Sequence, residues 1–275
     1  MLSQLINIFS YGFIQKALIV GVLVSLCSAL LGVTLILKRY SMIGDGLSHI
    51  AFGALAISAA LNTASMLFSI PVVIIAAILL LRISQSGKFK GDSAIAVIAT
   101  SSLAIGVFII SKSGANTDLS NYLFGSILSI SASDTILCTV LAIIIIVLYC
   151  FYYHRIFAVT FDEAFAKATG IPVSFLNTLI AILTALTIVV GMRLMGTLLI
   201  SSLIIFSPIT AMRLSKTFKG VVILSAIISV VNFVVGLVYS YLFSSPTGAT
   251  IVIVSLITLI LSYLYNLIFK TKKDR

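Results

Sequence analysis

Residues 17–58 read ALIVGVLVSLCSALLGVTLILKRYSMIGDGLSHIAFGALAIS. The first half carries no charge for about 20 residues, enough for an α-helix to cross a hydrocarbon layer roughly 30 Å thick. Lys38-Arg39 ends that run, and a second apolar run begins at Ser41. The same grammar continues along the chain. Apolar runs fall at 17–37, 41–62, 65–82, 93–111, 134–153, 174–192, 194–212, 220–243 and 249–269. Strands of a membrane barrel would be about 10 residues long and would alternate in polarity. These runs do neither. The expected fold is all-α: a polytopic transmembrane helical bundle of about nine spans, eight to ten allowing for the tight turn near Arg193.

Composition agrees. Of 275 residues 61% are hydrophobic and only 9% charged, and mean hydropathy is +1.27. So few polar residues leave no material for a soluble catalytic domain, and residues 1–275 form a single membrane domain. Residues 1–15 are apolar on one face and too short to span, which suits an interfacial helix. The net charge of +10 does not point to nucleic acid. The basic residues sit in short clusters between apolar runs, where they orient helices. Placing Lys38-Arg39, Arg82/Lys88/Lys90, Arg155/Lys167, Arg213/Lys216/Lys219 and the basic tail 270–275 in the cytoplasm leaves only Lys16, Lys112 and Arg193 elsewhere, of 17 Lys and Arg. The N-terminus is then outside and the C-terminus cytoplasmic. Cys27, Cys138 and Cys150 lie in apolar runs and form neither a CxxC site nor a disulfide framework.

The second run holds the chemistry. Apart from Asp134 at the very start of its run, Asp45 is the only carboxylate inside a long apolar run, and His49 is one of two histidines. At i and i+4 they share a helix face, and a carboxylate with an imidazole is half of a first-row divalent metal site. Ionisable groups within membrane spans are costly and usually face a pathway. A plainer alternative makes Asp45, flanked by Gly44 and Gly46, the N-cap of the span. A two-fold homodimer with this helix at the axis would bring two Asp and two His together. Met192 and Met195 read as packing residues, and Pro208 as a kink.

Residues 154–173, HRIFAVTFDEAFAKATGIPV, form the longest cytoplasmic connection. Thr160 to Glu163 has the T-x-x-E spacing of a capping box, with Gly170 as a stop and Pro172 beyond it. This predicts a helix of about ten residues. Phe161, Phe165, Ala166 and Ala168 would dock it into a partner or lay it on the inner leaflet. The outer connections are 112–133, with a short apolar piece at 122–130, and the turn SSPTG at 244–248.

Four stretches together carry a resemblance: KRYSMIGDGLSHIAFGALA, NYLFGSIL at 121–128, FDEAFAKATG at 161–170 and GMRLMGTLLISSLIIFSPITAMRL at 191–214. In order and spacing they are similar to the permease subunits of ATP-binding-cassette importers for zinc, manganese and iron. The resemblance spans residues 12–269. It implies a fold like that of the vitamin-B12-type importers, in a bacterial cell membrane. It also implies a homodimer, a cytoplasmic ATP-binding subunit and an extracytoplasmic metal-binding protein. Asp45 and His49 match the acid and histidine of the metal path. Thr160, Phe161, Asp162, Glu163, Phe165 and Gly170 fall in the segment resembling the helix that seats in the ATPase. No cofactor is implied beyond the transported divalent metal, zinc or manganese, with ATP held by the partner. The chain has no G-x-x-x-x-G-K-[ST] pattern, so it is expected not to be the ATPase. Its SSPTG turn lacks the acidic residue that several relatives carry before the proline, and there is no His-rich outer loop. The rival reading is a gradient-driven transporter or channel, for which Asp45 alone offers one coupling acid.

Overall fold

The computed structural model describes residues 12–61, 65–85, 91–112, 125 and 132–270. The regular structure of these residues is entirely helical. In order they form α1 (Gly12–Leu37), α2 (Ser41–Ala60), α3 (Ser65–Gln85), α4 (Gly91–Lys112) and α5 (Ala132–Phe151). Two short helices follow, α6 (Tyr153–Phe161) and α7 (Glu163–Ala168), then α8 (Val173–Leu214), α9 (Phe218–Phe243) and α10 (Thr247–Lys270). The expected interfacial segment lies outside the described residues up to residue 11. From Gly12 the chain already belongs to α1. The piece at 122–130 and the tail beyond Lys270 also lie outside them, Gly125 excepted.

α8 is two spans. Gly196 has φ 80° and ψ 167°, outside the helical region and in backbone space that essentially only glycine occupies. A Cβ built on Gly191 would meet Ile200 Cδ1 at 2.4 Å. Residues nine apart in a straight helix stand roughly 13 Å apart, so the chain doubles back at Gly196. Counted this way, nine helical segments among the described residues are long and apolar enough to cross a membrane. Helix continues through Pro208, and Gly196 supplies the only non-helical dihedrals inside α8.

The spans sort into an inner and an outer set. In α1 and α2, 72% of the most apolar window is buried, against 17% in α10 and 22% in α4 and α5. α1, α2 and both arms of α8 therefore form the centre, while α3, α4, α5, α9 and α10 surround it. The outer helices expose rows such as Val97, Ile105 and Phe108 on α4, or Ile253, Ile257 and Ile260 on α10. Such surfaces suit acyl chains and not water. Inside, small residues allow close approach. A Cβ on Gly53 would lie 2.8 Å from the Ser102 carbonyl oxygen, so α2 and α4 pack backbone to backbone there. Hydroxyls tie other pairs: Ser229 donates to the Ser25 carbonyl at 2.9 Å, and Thr258 to Asn232 Oδ1 at 2.9 Å. Cys27, Cys138 and Cys150 are not in disulfides, and the first two are buried. Met192 and Met195 are packed core, 1% and 2% exposed.

Candidate metal path and coupling connection

α1 ends in a closed corner. Arg39 N donates to the Ile36 carbonyl at 3.0 Å and Tyr40 N to the Leu35 carbonyl at 2.7 Å, the paired bonds of a Schellman stop. Arg39 holds the left-handed position, φ 60°, where glycine is more usual. Tyr40 is then the N-cap of α2, without a side-chain capping bond. The alternative that Asp45 caps α2 is thus overturned. Asp45 lies in the second turn, about 6 Å along the axis from Ser41.

Around that turn each neighbour takes one face of α2. Gly44 faces Ile204 of α8, and Gly46 faces Ile95 of α4. Ile43 and Leu47, on the far side of the helix from Asp45, are 2% and 0% exposed. The remaining edge carries Met42, Asp45 and His49, and it is open in the single chain. Asp45 and His49 side chains are 39% and 28% exposed, with Oδ2 and Nε2 3.7 Å apart. That distance is too long for a hydrogen bond, so neither atom is engaged by the other. His49 Nδ1 is buried and has no hydrogen-bond partner among the described residues, so none of them fixes its tautomer. No group of three or more His, Cys, Asp or Glu side chains suited to a metal occurs among the described residues. Among the described residues, this edge brings together one carboxylate and one imidazole.

The connection after α5 departs from its expected form. Residues 153–161 are already helical, because Ile156 and Val159 bury themselves against the bundle. Thr160 is then helix interior, and its hydroxyl donates to the Ile156 carbonyl at 2.6 Å. The capping box does not form. Asp162, extended at φ −149°, caps the next helix instead and accepts from Phe165 N at 2.9 Å. The helix it starts, α7, has 6 residues and not about ten. Gly170 ends α7 as expected: φ is 81°, and Ile171 N reaches back to the Ala166 carbonyl at 3.0 Å. Phe161 and Phe165 project outward, 60% and 63% exposed, with Phe161 against Phe157 and Phe218. Ala166 turns inward onto Val159 and Leu176, a small core of its own.

Glu163 is freed from the capping role and does something the sequence did not suggest. Its Oε1 accepts from Lys38 Nζ at 2.7 Å and from Asn177 Nδ2 at 3.1 Å. Lys38 also donates to Asn177 Oδ1. Desolvation raises the Glu163 pKa, but the two hydrogen bonds and the ammonium outweigh it and hold the carboxyl below its ordinary value. Burial lowers the Lys38 pKa, partly opposed by Glu163. Lys38 and Glu163 are 125 residues apart in sequence, and nothing local signals the pair.

A profile described as the ABC 3 transport family matches residues 10–266. The chain belongs to the ABC 3 transport family. It is 30% identical to the manganese transport system membrane protein MntC of Listeria innocua, over 98% of this chain and 97% of that one. It is 32% identical to the high-affinity zinc uptake system membrane protein ZnuB of Buchnera aphidicola, over 86% of this chain and 90% of that one. Among solved structures, PsaBC from Streptococcus pneumoniae in complex with Fab superposes with a TM-score of 0.86 at 30% identity, covering 96% of this chain and 95% of its counterpart. An ABC transporter in an inward-facing conformation, 14% identical with a TM-score of 0.77, shares the fold. Its permease relatives mark this ABC 3 member as a multi-pass membrane subunit of an ABC transporter.

Proposed function

We propose that this chain is the permease of an ATP-driven importer of a divalent metal cation, manganese or zinc, and that Asp45 and His49 contact the cation in transit. One observation carries the proposal: the 3.7 Å Asp45–His49 pair, unneutralised by any hydrogen bond between them, on the one open edge of an otherwise buried central helix. A second copy of the chain, related by a two-fold axis along that edge, would double the set to two carboxylates and two imidazoles. Four such ligands suit zinc in a tetrahedral arrangement, and oxygen donors widen the choice to manganese.

The connection 154–173 lies on the cytoplasmic side in this reading, as the positive charges require, with the N-terminus outside and the C-terminus inside. α7 receives the cytoplasmic ATP-binding subunit. An extracytoplasmic metal-binding protein delivers the cation to the opposite face, which the turn at 244–248 helps to form. ATP binding and hydrolysis in the partner rock the spans between outward and inward openings of the path.

Reconstitution in lipid vesicles with the ATP-binding subunit and the binding protein tests the proposal. Manganese or zinc uptake should require both ATP and the ATP-binding subunit. Uptake by this chain alone, driven by an ion gradient, would instead support the gradient-coupled alternative.

A further inference from the structure

Lys38 explains neither the metal pair nor the docking face, yet it is the most deeply enclosed cation of the corner before α2. Its side chain is 4% exposed, and it is held by Glu163 and Asn177 in a closed ring of three hydrogen bonds. A buried ammonium is tolerated only when so paired. The three residues come from three places in the chain: Lys38 directly follows α1, Glu163 opens α7, and Asn177 lies near the start of α8.

The position of each member matters. Lys38 is the last residue before the Schellman corner that Arg39 and Tyr40 close, and that corner leads without slack into α2. A displacement of Lys38 is therefore carried into the helix bearing Asp45 seven residues later. At the other end, α7 is anchored by the small cluster of Val159, Ala166 and Leu176, which is separate from the main core. Beside α7 lies an open groove of about 850 Å³, bordered by Tyr40, Gln85, Glu163, Lys167 and Asn177. The apolar seat of α7 is small, there is room for it to move, and its polar attachment runs directly to the α2 corner.

We propose that Lys38, Glu163 and Asn177 form a strut through which displacement of α7 repositions the Asp45–His49 helix, making them positioning residues for the coupling of ATP hydrolysis to metal passage. The proposal rests on the importer function proposed above.

The test uses the complete complex in vesicles, with ATP hydrolysed per metal ion taken up as the readout. Glu163→Gln removes one charge. The double variant Lys38→Met/Glu163→Gln removes both, so no uncompensated ion is left buried and folding is protected. Asn177→Leu opens the ring without touching α7 and should leave copurification with the ATP-binding subunit and ATP hydrolysis within about 2-fold of wild type, while ATP used per ion rises about 10-fold in it and in both Glu163 variants. The exchanged pair Lys38→Glu/Glu163→Lys should restore at least about half of the coupling, because the Asn177 amide can flip to serve the reversed charges. An unchanged ratio in the double variant overturns the strut. So does loss of copurification in Glu163→Gln, which would make Glu163 a docking contact. Absence of ATP-dependent uptake in the wild-type complex would be seen first, and would remove the importer function and the strut together.

Discussion

Gly191 and Ile200 touch across the reversal at Gly196, nine residues apart in sequence and side by side in space. The turn between the two arms of α8 depends on one residue, Gly196, at φ 80° and ψ 167°. An alanine there is strained by about 1–3 kcal/mol whatever space surrounds it. Gly196→Ala should lower the thermal midpoint of the detergent-purified permease, whereas Ala at Gly12, which has no neighbour within 4 Å of a built Cβ, should not. Equal midpoints would contradict the reversal.

The cap and stop of α7 make a matched pair of predictions. Asp162→Ala removes the bond to Phe165 N and should cost about 1 kcal/mol of local helix stability. Gly170→Ala forces an L-residue to φ 81° and should cost about 1–2 kcal/mol. Thr160→Ala should be nearly neutral, since Thr160 caps nothing. Hydrogen exchange of the α7 amides checks all three. Faster exchange in Thr160→Ala than in Asp162→Ala would restore the capping box that the structure rejects.

The reasons for that misreading are physical. Thr160 and Asp162 are both good caps, and local spacing favours Thr160. The choice is made by Ile156 and Val159, which extend helix through Thr160 by burying themselves against the bundle. Features set by long apolar runs, including the nine spans, were legible because length and hydropathy suffice for them. Helix ends shifted by a few residues where polar or glycine-containing turns remained helical, as at Gly12 and Gly91. The Asp45–His49 geometry was legible because i,i+4 spacing dictates it. Lys38–Glu163 was not: Lys38 reads as one of many orienting charges, and its partner arrives from the far half of the chain. Gly53 carries no local signal either, because its close approach is to the Ser102 backbone of another helix.

The lowered Glu163 pKa gives a pH signature. A carboxyl with a folded value below its unfolded 4.5 contributes stability that is fully present above the unfolded value. That contribution is lost as pH falls through the folded value. Glu163 is 45% exposed, so the effect is screened and should stay below about 1 kcal/mol. From about pH 5 down to about pH 3, the thermal midpoint of wild type should fall further than that of Glu163→Gln. Parallel curves would show that the Lys38 contact does not bias Glu163 ionisation.

The central claim is that the cation passes Asp45 and His49. The direct measurement is the initial rate of ATP-dependent manganese and zinc uptake by vesicles holding the complete complex, with wild type compared against Asp45→Ala and His49→Ala. Both side chains are partly exposed, so each variant should assemble and melt within about 0.5 kcal/mol of wild type. The account predicts that uptake nevertheless falls at least about 10-fold in each. Wild-type uptake in both variants, with assembly intact, would contradict it.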